Sequence, residues 1–176
     1  MKIKPITICI PINKIRILLI TKFIHLLHKS KWRSLLTSNN PIKIELGSGP
    51  KLGTNGWTTV DLQGADICCD LRNGIKLPDN SVEMIYTSHT FEHIPFNQLI
   101  PFIGECYRVL KPSGVLSVCV PNAGLYLEAY CNKRLVRERG QGHSPAFTET
   151  GSYIDQVNYT AYMNGEHKYM FDAENL

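Results

Sequence analysis

The sequence predicts an α/β domain with a mainly parallel sheet that is covered by helices on both faces. Short apolar, β-branched segments alternate with segments of helical spacing and with Gly, Asn and Pro clusters. Strands that are apolar along their whole length are typical of parallel sheets, because both faces of such sheets are buried. The 176 residues suffice for one domain, and the composition excludes collagen-like and low-complexity chains.

A turn cluster at residues 38–41 divides the chain into an arm, residues 1–40, and a domain. The arm carries eight Lys and Arg and no Asp or Glu, whereas the rest of the chain has eleven basic and fifteen acidic residues. Apolar residues recur at helical spacing over 12–36, which predicts an amphipathic basic helix. Charged residues interrupt this stretch too often for a transmembrane span or a cleaved signal peptide.

Two uses of this basic helix remain open. It could pack on the domain as a lid, which is the common arrangement, or residues 12–36 could contact an anionic membrane surface. We predict no nucleic-acid partner, because the basic residues alternate with aliphatic side chains instead of stacking aromatic ones. The six cysteines form no C-x-x-C pair, which predicts reduced thiols in a cytoplasmic protein, with peripheral attachment at the inner membrane surface as the variant.

Beyond residue 41 the pattern predicts five strands and an intervening helix. The strands are expected at residues 42–46, 57–61, 65–70, 82–87 and 115–120. The helix is predicted over 98–110, where apolar residues recur every three or four positions, and a Lys-Pro-Ser-Gly turn closes it.

The first strand leads into a glycine loop. Gly47 and Gly49 let the backbone turn sharply and approach a ligand closely at the carboxyl end of this strand. The second strand ends in Asp61, whose carboxylate can accept hydrogen bonds from both hydroxyls of a ribose. Leu52 stands where a nicotinamide fingerprint has its third glycine, and the short gap before the second strand leaves no room for a helix that would hold a pyrophosphate. A ligand without phosphate therefore fits better.

Five segments together resemble the class I S-adenosylmethionine-dependent methyltransferases, and in particular the small-molecule type 11 group. They are Ile-Glu-Leu-Gly-Ser-Gly-Pro at 44–50, Gly-Trp-Thr-Thr-Val-Asp-Leu at 56–62, Ala-Asp-Ile-Cys-Cys-Asp-Leu at 65–71, the segment 77–93 that ends in Ser-His-Thr-Phe-Glu-His, and Glu-Cys-Tyr-Arg-Val-Leu-Lys-Pro-Ser-Gly-Val-Leu at 105–116. The resemblance covers residues 42–122. It implies a Rossmann-like methyltransferase fold, S-adenosyl-L-methionine as cofactor, and a small-molecule, glycan or lipid acceptor.

The same resemblance implies a set of cofactor-binding residues: Glu45, Gly47, Ser48, Gly49, Asp61, Leu62, Asp70, Leu71 and Ser88. Asp61 is expected on the ribose hydroxyls, and Asp70 with Leu71 beside the adenine. The sulfonium already activates the methyl group, so the protein mainly aligns the acceptor, and a general base is needed only if the acceptor keeps a proton. His93 and His89 are the candidate bases, with His93 preferred, although a bracing role for His93 is the more common one.

The segment His89-Thr90-Phe91-Glu92-His93 also spells H-x-x-E-H, a pattern of zinc hydrolases. In such enzymes both histidines share one face of a helix. Here the motif directly follows a buried strand, and Pro95 limits any helix to about one turn. We therefore predict no metal ligand and keep the zinc hydrolase as a minor alternative.

The prediction divides the domain into a cofactor-binding core, residues 41–122, and residues 123–176, which combine an acceptor-binding insertion with the start of the next helix. The chain ends at Leu176, so the last helix and the final two strands of the methyltransferase fold are expected to be missing. Two hypotheses follow. The chain is an active enzyme that its arm or a homodimer completes, or it is a truncated, non-catalytic relative that binds the cofactor.

Overall fold

The computed structural model describes residues 30–136 and 150–176. Within these ranges the strands form one five-stranded sheet. Its members are β1 (Lys43–Leu46), β2 (Trp57–Asp61), β3 (Ile67–Cys68), β4 (Val82–Ser88) and β5 (Leu110–Cys119). The spatial order is β3-β2-β1-β4-β5, and each neighbouring pair is parallel. The predicted α/β class with a parallel sheet is confirmed.

The strand order reverses direction at β1. From β1 the chain proceeds outward through β2 to β3, and it then returns to the other side of β1 with β4 and β5. In open α/β sheets such a switch point leaves a crevice outside the carboxyl ends of the strands, where ligands bind. The glycine loop lies at this point, because it follows β1 directly. No helix lies between β1 and β2 in the described residues, as the short gap predicted.

Four helices lie within the described residues: α1 (residues 30–37), α2 (Phe96–Val109), α3 (Ala123–Cys131) and α4 (Ile154–Ala161). Three 3₁₀ turns complete the fold, at Leu71–Asn73, Phe91–His93 and Met163–Gly165. Helix α2 begins two residues earlier than predicted, because the carbonyl of Pro95 at its N-cap accepts hydrogen bonds from the N–H groups of Gln98 and Leu99. It buries Leu99, Phe102, Cys106 and Val109 on one face, which is the apolar face that the spacing indicated.

Two strands differ from their predicted limits. The segment 65–70 pairs only over Ile67–Cys68, because Asp66 turns its carboxylate to β2 and Asp70 caps the following turn. Strand β5 begins at Leu110, five residues before its predicted start. The predicted Lys-Pro-Ser-Gly turn is present as an irregularity within β5. The pairing with β4 shifts register between Val82 and Met84, and Ser113 in this irregular part has a φ of +67°.

The described end of the arm packs on the domain. Trp32 of α1 is only 4% exposed and belongs to the same buried cluster as Ile42, Ile44 and Val109. Leu35 packs against this cluster. The rest of the predicted basic helix, residues 12–29, lies outside the described residues, so its contact with a membrane stays a prediction. In the parts that the structure describes, none of the helices has the length and apolar character needed to cross a membrane.

One ion-pair network fastens α2 to the segment that follows β3. The Arg108 guanidinium donates to Glu105 Oε1 and Oε2 and to Asp79 Oδ1, each over 2.8 Å, and it also reaches the carbonyls of Leu77 and Ile75. Glu105 Oε2 in turn accepts from the Ile75 backbone N–H over 3.0 Å. This network holds the residues just after Leu71–Asn73 in place, and that turn lies beside the crevice.

We expect Glu105→Gln to lower the free energy of unfolding at neutral pH by about 2 kcal/mol, because charged hydrogen bonds to Arg108 are lost. Hydrogen bonds from Arg108 lower the pKa of Glu105 from 4.5 to about 2 in the folded chain. A lowered folded pKa means that the contribution is complete above pH 4.5 and disappears as the pH falls toward 2. Urea unfolding at pH 7, 4 and 3 measures this difference between wild type and variant.

The matched control is Glu83→Gln. Glu83 and Lys111 are both exposed and 3.9 Å apart, so the control should lose little stability at any of these pH values. Two outcomes would contradict the role of the network: an equal loss of unfolding free energy in the two variants, or a stability difference between wild type and Glu105→Gln that does not decrease at acid pH.

Candidate functional site

A cleft of about 440 Å³ opens at the carboxyl ends of β1, β2 and β4, where the strand order reverses. Seven of the residues that the sequence singled out line it: Gly47, Asp61, Leu62, Asp70, Leu71, His89 and His93. The other four, Glu45, Ser48, Gly49 and Ser88, lie outside this lining. Residues from segments far apart in the sequence thus meet in one concave site.

The glycine loop closes one wall of the cleft through a close backbone approach. Gly47 has a φ of +68°, and its N–H donates to the Val60 carbonyl over 2.8 Å. A Cβ at this position would lie 2.0 Å from Thr90 Oγ1 and 2.9 Å from Thr90 Cβ. Only glycine therefore fits between β1 and the segment that follows β4.

Asp61 lies at the end of β2, and the backbone of two loops fixes its carboxylate. Gly49 N–H donates to Oδ2 over 2.8 Å, and Leu62 N–H donates to Oδ1 over 2.6 Å. Each carboxylate oxygen can accept a further hydrogen bond. The carboxylate is therefore oriented in advance and can still accept from a diol. Gly49 acts here by holding Asp61, although it does not line the cleft.

Both oxygens of the Asp70 carboxylate accept hydrogen bonds from Arg72, which the sequence did not indicate. The carboxylate caps the turn Leu71–Asn73 by accepting from Arg72 N–H over 3.0 Å. The Arg72 guanidinium also holds it through Nε at 2.9 and 3.1 Å and Nη2 at 2.7 Å. These side-chain hydrogen bonds keep the pKa of Asp70 below its usual value, although partial burial opposes them. Asp70 is thus ionised and positions the turn that carries Leu71.

The remaining predicted cofactor residues have other partners. Glu45 is 14% exposed in its side chain and forms an ion pair with Lys51 at 2.7 Å. Ser48 Oγ donates to the Gly49 carbonyl over 3.0 Å, inside the loop. The Ser88 carbonyl accepts from Thr90 Oγ1 over 3.3 Å. These residues support the loops around the cleft.

The two candidate bases differ in environment. His89 has a φ of +53°, is 55% exposed in its side chain, and places Nδ1 3.2 Å from Oε1 of the buried Glu92. His93 ends the turn Phe91–His93, and its ring lies edge-to-face against His167 with centroids 4.9 Å apart. His89 precedes the turn in a left-handed conformation, so the two histidines do not share the helical face that the zinc-hydrolase pattern requires. That alternative is not favoured.

Sequence reasoning missed several residues of the cleft. Thr90 lines the cleft and packs against Gly47. Lys168, from the segment after α4, also lines the cleft. Cys69 also lines it, and burial raises the pKa of this thiol to about 11, so it is neutral at physiological pH. The Asp-Ile-Cys-Cys-Asp segment indicated that residues around Cys69 lie near the cofactor. The contributions of Thr90 and Lys168 depend on contacts between segments far apart in the sequence, and no local sequence pattern indicates such contacts.

Comparison with known proteins gives two matches. Residues 50–118 match a family described as "Methyltransferase domain". A segment of 57 residues is 40% identical to a probable S-adenosylmethionine-dependent methyltransferase of Mycolicibacterium smegmatis. This match covers 30% of the present chain and 21% of the relative, so the chain spans about a fifth of the length of the curated relative that it matches.

Proposed function

We propose that the chain is a class I S-adenosylmethionine-dependent methyltransferase and moves a methyl group from that cofactor to an acceptor in the cleft, which the match of residues 50–118 to a methyltransferase domain supports. The observation that carries the proposal is the pre-oriented carboxylate of Asp61 beside the glycine loop at the switch point. It supplies a diol-binding group where a ribose would lie. The acceptor is proposed to be a small molecule, a glycan or a lipid.

The shape of the site supports a cofactor with a nucleoside and no phosphate. Gly47 brings the backbone close to the cleft, and Leu71 with the neutral Cys69 contributes apolar lining. The loop between β1 and β2 contains no helix whose N-terminus could hold a pyrophosphate. We assign the ribose to Asp61 and the adenine to the turn that Asp70 caps.

The acceptor side of the cleft is proposed to lie between the end of β4 and the segment after α4. His89 and His93 come from the first of these elements, and Lys168 comes from the second. The two are joined directly, because Lys168 N–H donates to the Glu92 carbonyl over 2.6 Å. Residues 123–176 thereby contribute to the cleft, which agrees with the proposed acceptor-binding role of this part.

Methyl transfer requires little machinery from the protein. The cofactor supplies an electrophilic methyl group on its sulfonium, and the chain has to hold the acceptor in line with that bond. An acceptor hydroxyl or amine that keeps its proton needs a base within hydrogen-bond reach. His89 and His93 line the cleft and are the proposed bases for such an acceptor.

The test is calorimetry with S-adenosylmethionine and with its demethylated product. We expect wild type to bind both and Asp61→Ala to bind about 100-fold more weakly, because two hydrogen bonds to a charged group are lost. Asp61→Asn should lose less, since its amide oxygen can still accept one of them. Glu83→Ala is the matched control, because the Glu83 side chain is an exposed acid outside both the cleft lining and the Arg108 network, and this variant should bind normally.

Transfer of labelled methyl groups from the cofactor to fractions of a cell extract then tests the reaction. Labelled product with wild type and none with Asp61→Ala would support the enzyme. Tight cofactor binding without transfer to any fraction would favour the non-catalytic relative. Absence of binding in wild type would contradict both.

A further inference from the structure

Three side chains that can bind a metal meet beside the cleft. Glu92 and His93 come from the turn Phe91–His93, and His167 follows the turn Met163–Gly165. One ligand atom of each side chain lies within 4.8 Å of those of the other two. Glu92 and His167 are buried, and His93 is half-buried and lines the cleft. We call these three residues the EHH cluster.

The carboxylate of Glu92 is buried without a hydrogen bond, and the side chain that pairs with it is the exposed His89. The residue is 1% exposed, and neither Oε1 nor Oε2 has a hydrogen bond in the described structure. His89 Nδ1 approaches Oε1 to 3.2 Å from the exposed side, but without the alignment of a hydrogen bond. A buried carboxylate without hydrogen bonds is unfavourable unless a cation compensates its charge. The site therefore calls for a positive charge next to Glu92.

His167 is oriented as a metal ligand would be. It is 5% exposed, and its Nδ1 lies 3.0 Å from the Thr160 carbonyl oxygen. A carbonyl oxygen only accepts hydrogen bonds, so Nδ1 is the donor, and Nε2 is the ring nitrogen that can bind a metal ion. A backbone carbonyl that fixes the tautomer in this way is typical of histidines that bind metal ions.

We propose that the EHH cluster binds a divalent transition-metal ion of the zinc type. Two imidazoles and a carboxylate form a ligand set that zinc accepts, whereas magnesium and calcium favour oxygen ligands alone. Three protein ligands leave one position for water or a ligand oxygen, and His93 connects the site to the cleft. The ion would compensate the charge of Glu92 and tie the segment around His167 to the turn after β4.

This site differs from the H-x-x-E-H pattern, which uses His89 in place of His167. His89 is not among the three residues whose ligand atoms meet. The inference also goes beyond methyl transfer. The two share His93, but Glu92 and His167 have no role in the proposed reaction, and Asp61 and the glycine loop have none in the metal site. Metal binding and cofactor binding can therefore fail independently.

The test uses the full-length protein, freed of metal with a chelator and titrated with Zn²⁺ by calorimetry and with Co²⁺ by visible absorption. All forms carry Cys119→Ser and Cys131→Ser, because these thiols are exposed and could bind zinc adventitiously. We expect one equivalent of metal and a higher melting temperature with Zn²⁺. Glu92→Gln and His167→Gln should each weaken binding by about tenfold or more.

Two matched variants separate this proposal from the alternatives. Glu128→Gln makes the same change as Glu92→Gln at an exposed acid and should bind metal normally. His89→Gln should also keep the site, because His89 lies outside the EHH cluster. Absence of a stoichiometric site, equal affinity in His167→Gln, or a loss with His89→Gln alone would overturn the proposal. Melting without metal shows whether each variant is folded.

Discussion

Gly47→Ala is expected to abolish measurable binding of S-adenosylmethionine and to lower the free energy of unfolding by about 2–5 kcal/mol. Two costs add at this position. The φ of +68° is unfavourable for any residue with a Cβ, and the new Cβ would lie 2.0 Å from Thr90 Oγ1. Changing the Thr90 rotamer does not remove the clash, because Thr90 Cβ itself would be 2.9 Å away. Urea unfolding and calorimetry measure the two effects.

Gly49→Ala is the matched control. Gly49 has nearly the same φ, +69°, but no atom lies within 4 Å of the Cβ that it would acquire. This variant should therefore lose only about 1–2 kcal/mol from the backbone conformation and should keep part of its cofactor affinity. Adding Thr90→Gly to Gly47→Ala should restore part of the lost stability. Equal losses in the two single variants would show that the contact with Thr90 does not matter.

The sequence predicts the limits of a strand correctly where the residues next to that strand determine them. Strand β2 has the predicted limits, because an apolar segment is bounded by Asn55-Gly56 before it and by an acid at its end. The predicted third strand was longer than the observed one. Residues 65–70 are apolar enough to form a strand, but Asp66 forms hydrogen bonds that end the pairing. Its carboxylate accepts hydrogen bonds from Gly53 N–H, Thr59 N–H and Thr59 Oγ1.

The same hydrogen bonds set the direction of the pKa shift of Asp66. Burial raises the pKa of this carboxyl, but the hydrogen bonds from Thr59 and Gly53 outweigh burial and leave the pKa below its usual value. A sequence pattern shows that an acid follows an apolar residue, but it does not show which backbone groups will point at it. The hydrogen bonds of this carboxylate depend on the approach of the loop before β2.

The same distinction holds for the candidate site: residues at the ends of strands could be predicted, and contacts between distant segments could not. Gly47, Asp61 and Leu71 follow strands, and the ends of parallel strands meet at one edge of a sheet. The contacts of Thr90 and His167 could not be predicted, because each packs against a segment far away in the sequence. The H-x-x-E-H spacing groups His89 with Glu92 and His93, whereas the ligand atoms that meet in the structure include His167 instead, because the spacing assumes a helix and His89 has a φ of +53°.

The second large effect is expected at the arm. Trp32→Ala should lower the free energy of unfolding by about 3–5 kcal/mol, as truncation of a buried aromatic residue does. Trp32 is 4% exposed within the core cluster, although it precedes the turn that separates the arm from the domain. Urea unfolding followed by circular dichroism measures the change. Leu36→Ala, on the same helix but 44% exposed, is the matched control and should change stability little.

The same pair of variants, tested for vesicle binding as well as for stability, shows whether Trp32 itself contributes to the core or to membrane binding. If Trp32 contributes to the core, Trp32→Ala destabilises the domain, while sedimentation with anionic vesicles continues to depend on the basic residues further toward the N-terminus. If Trp32 inserts into the membrane instead, the variant loses vesicle binding and keeps its stability. Packing of α1 on the domain does not exclude membrane contact by residues 12–29. Trp32 and Leu35 attach only the described end of the arm to the domain.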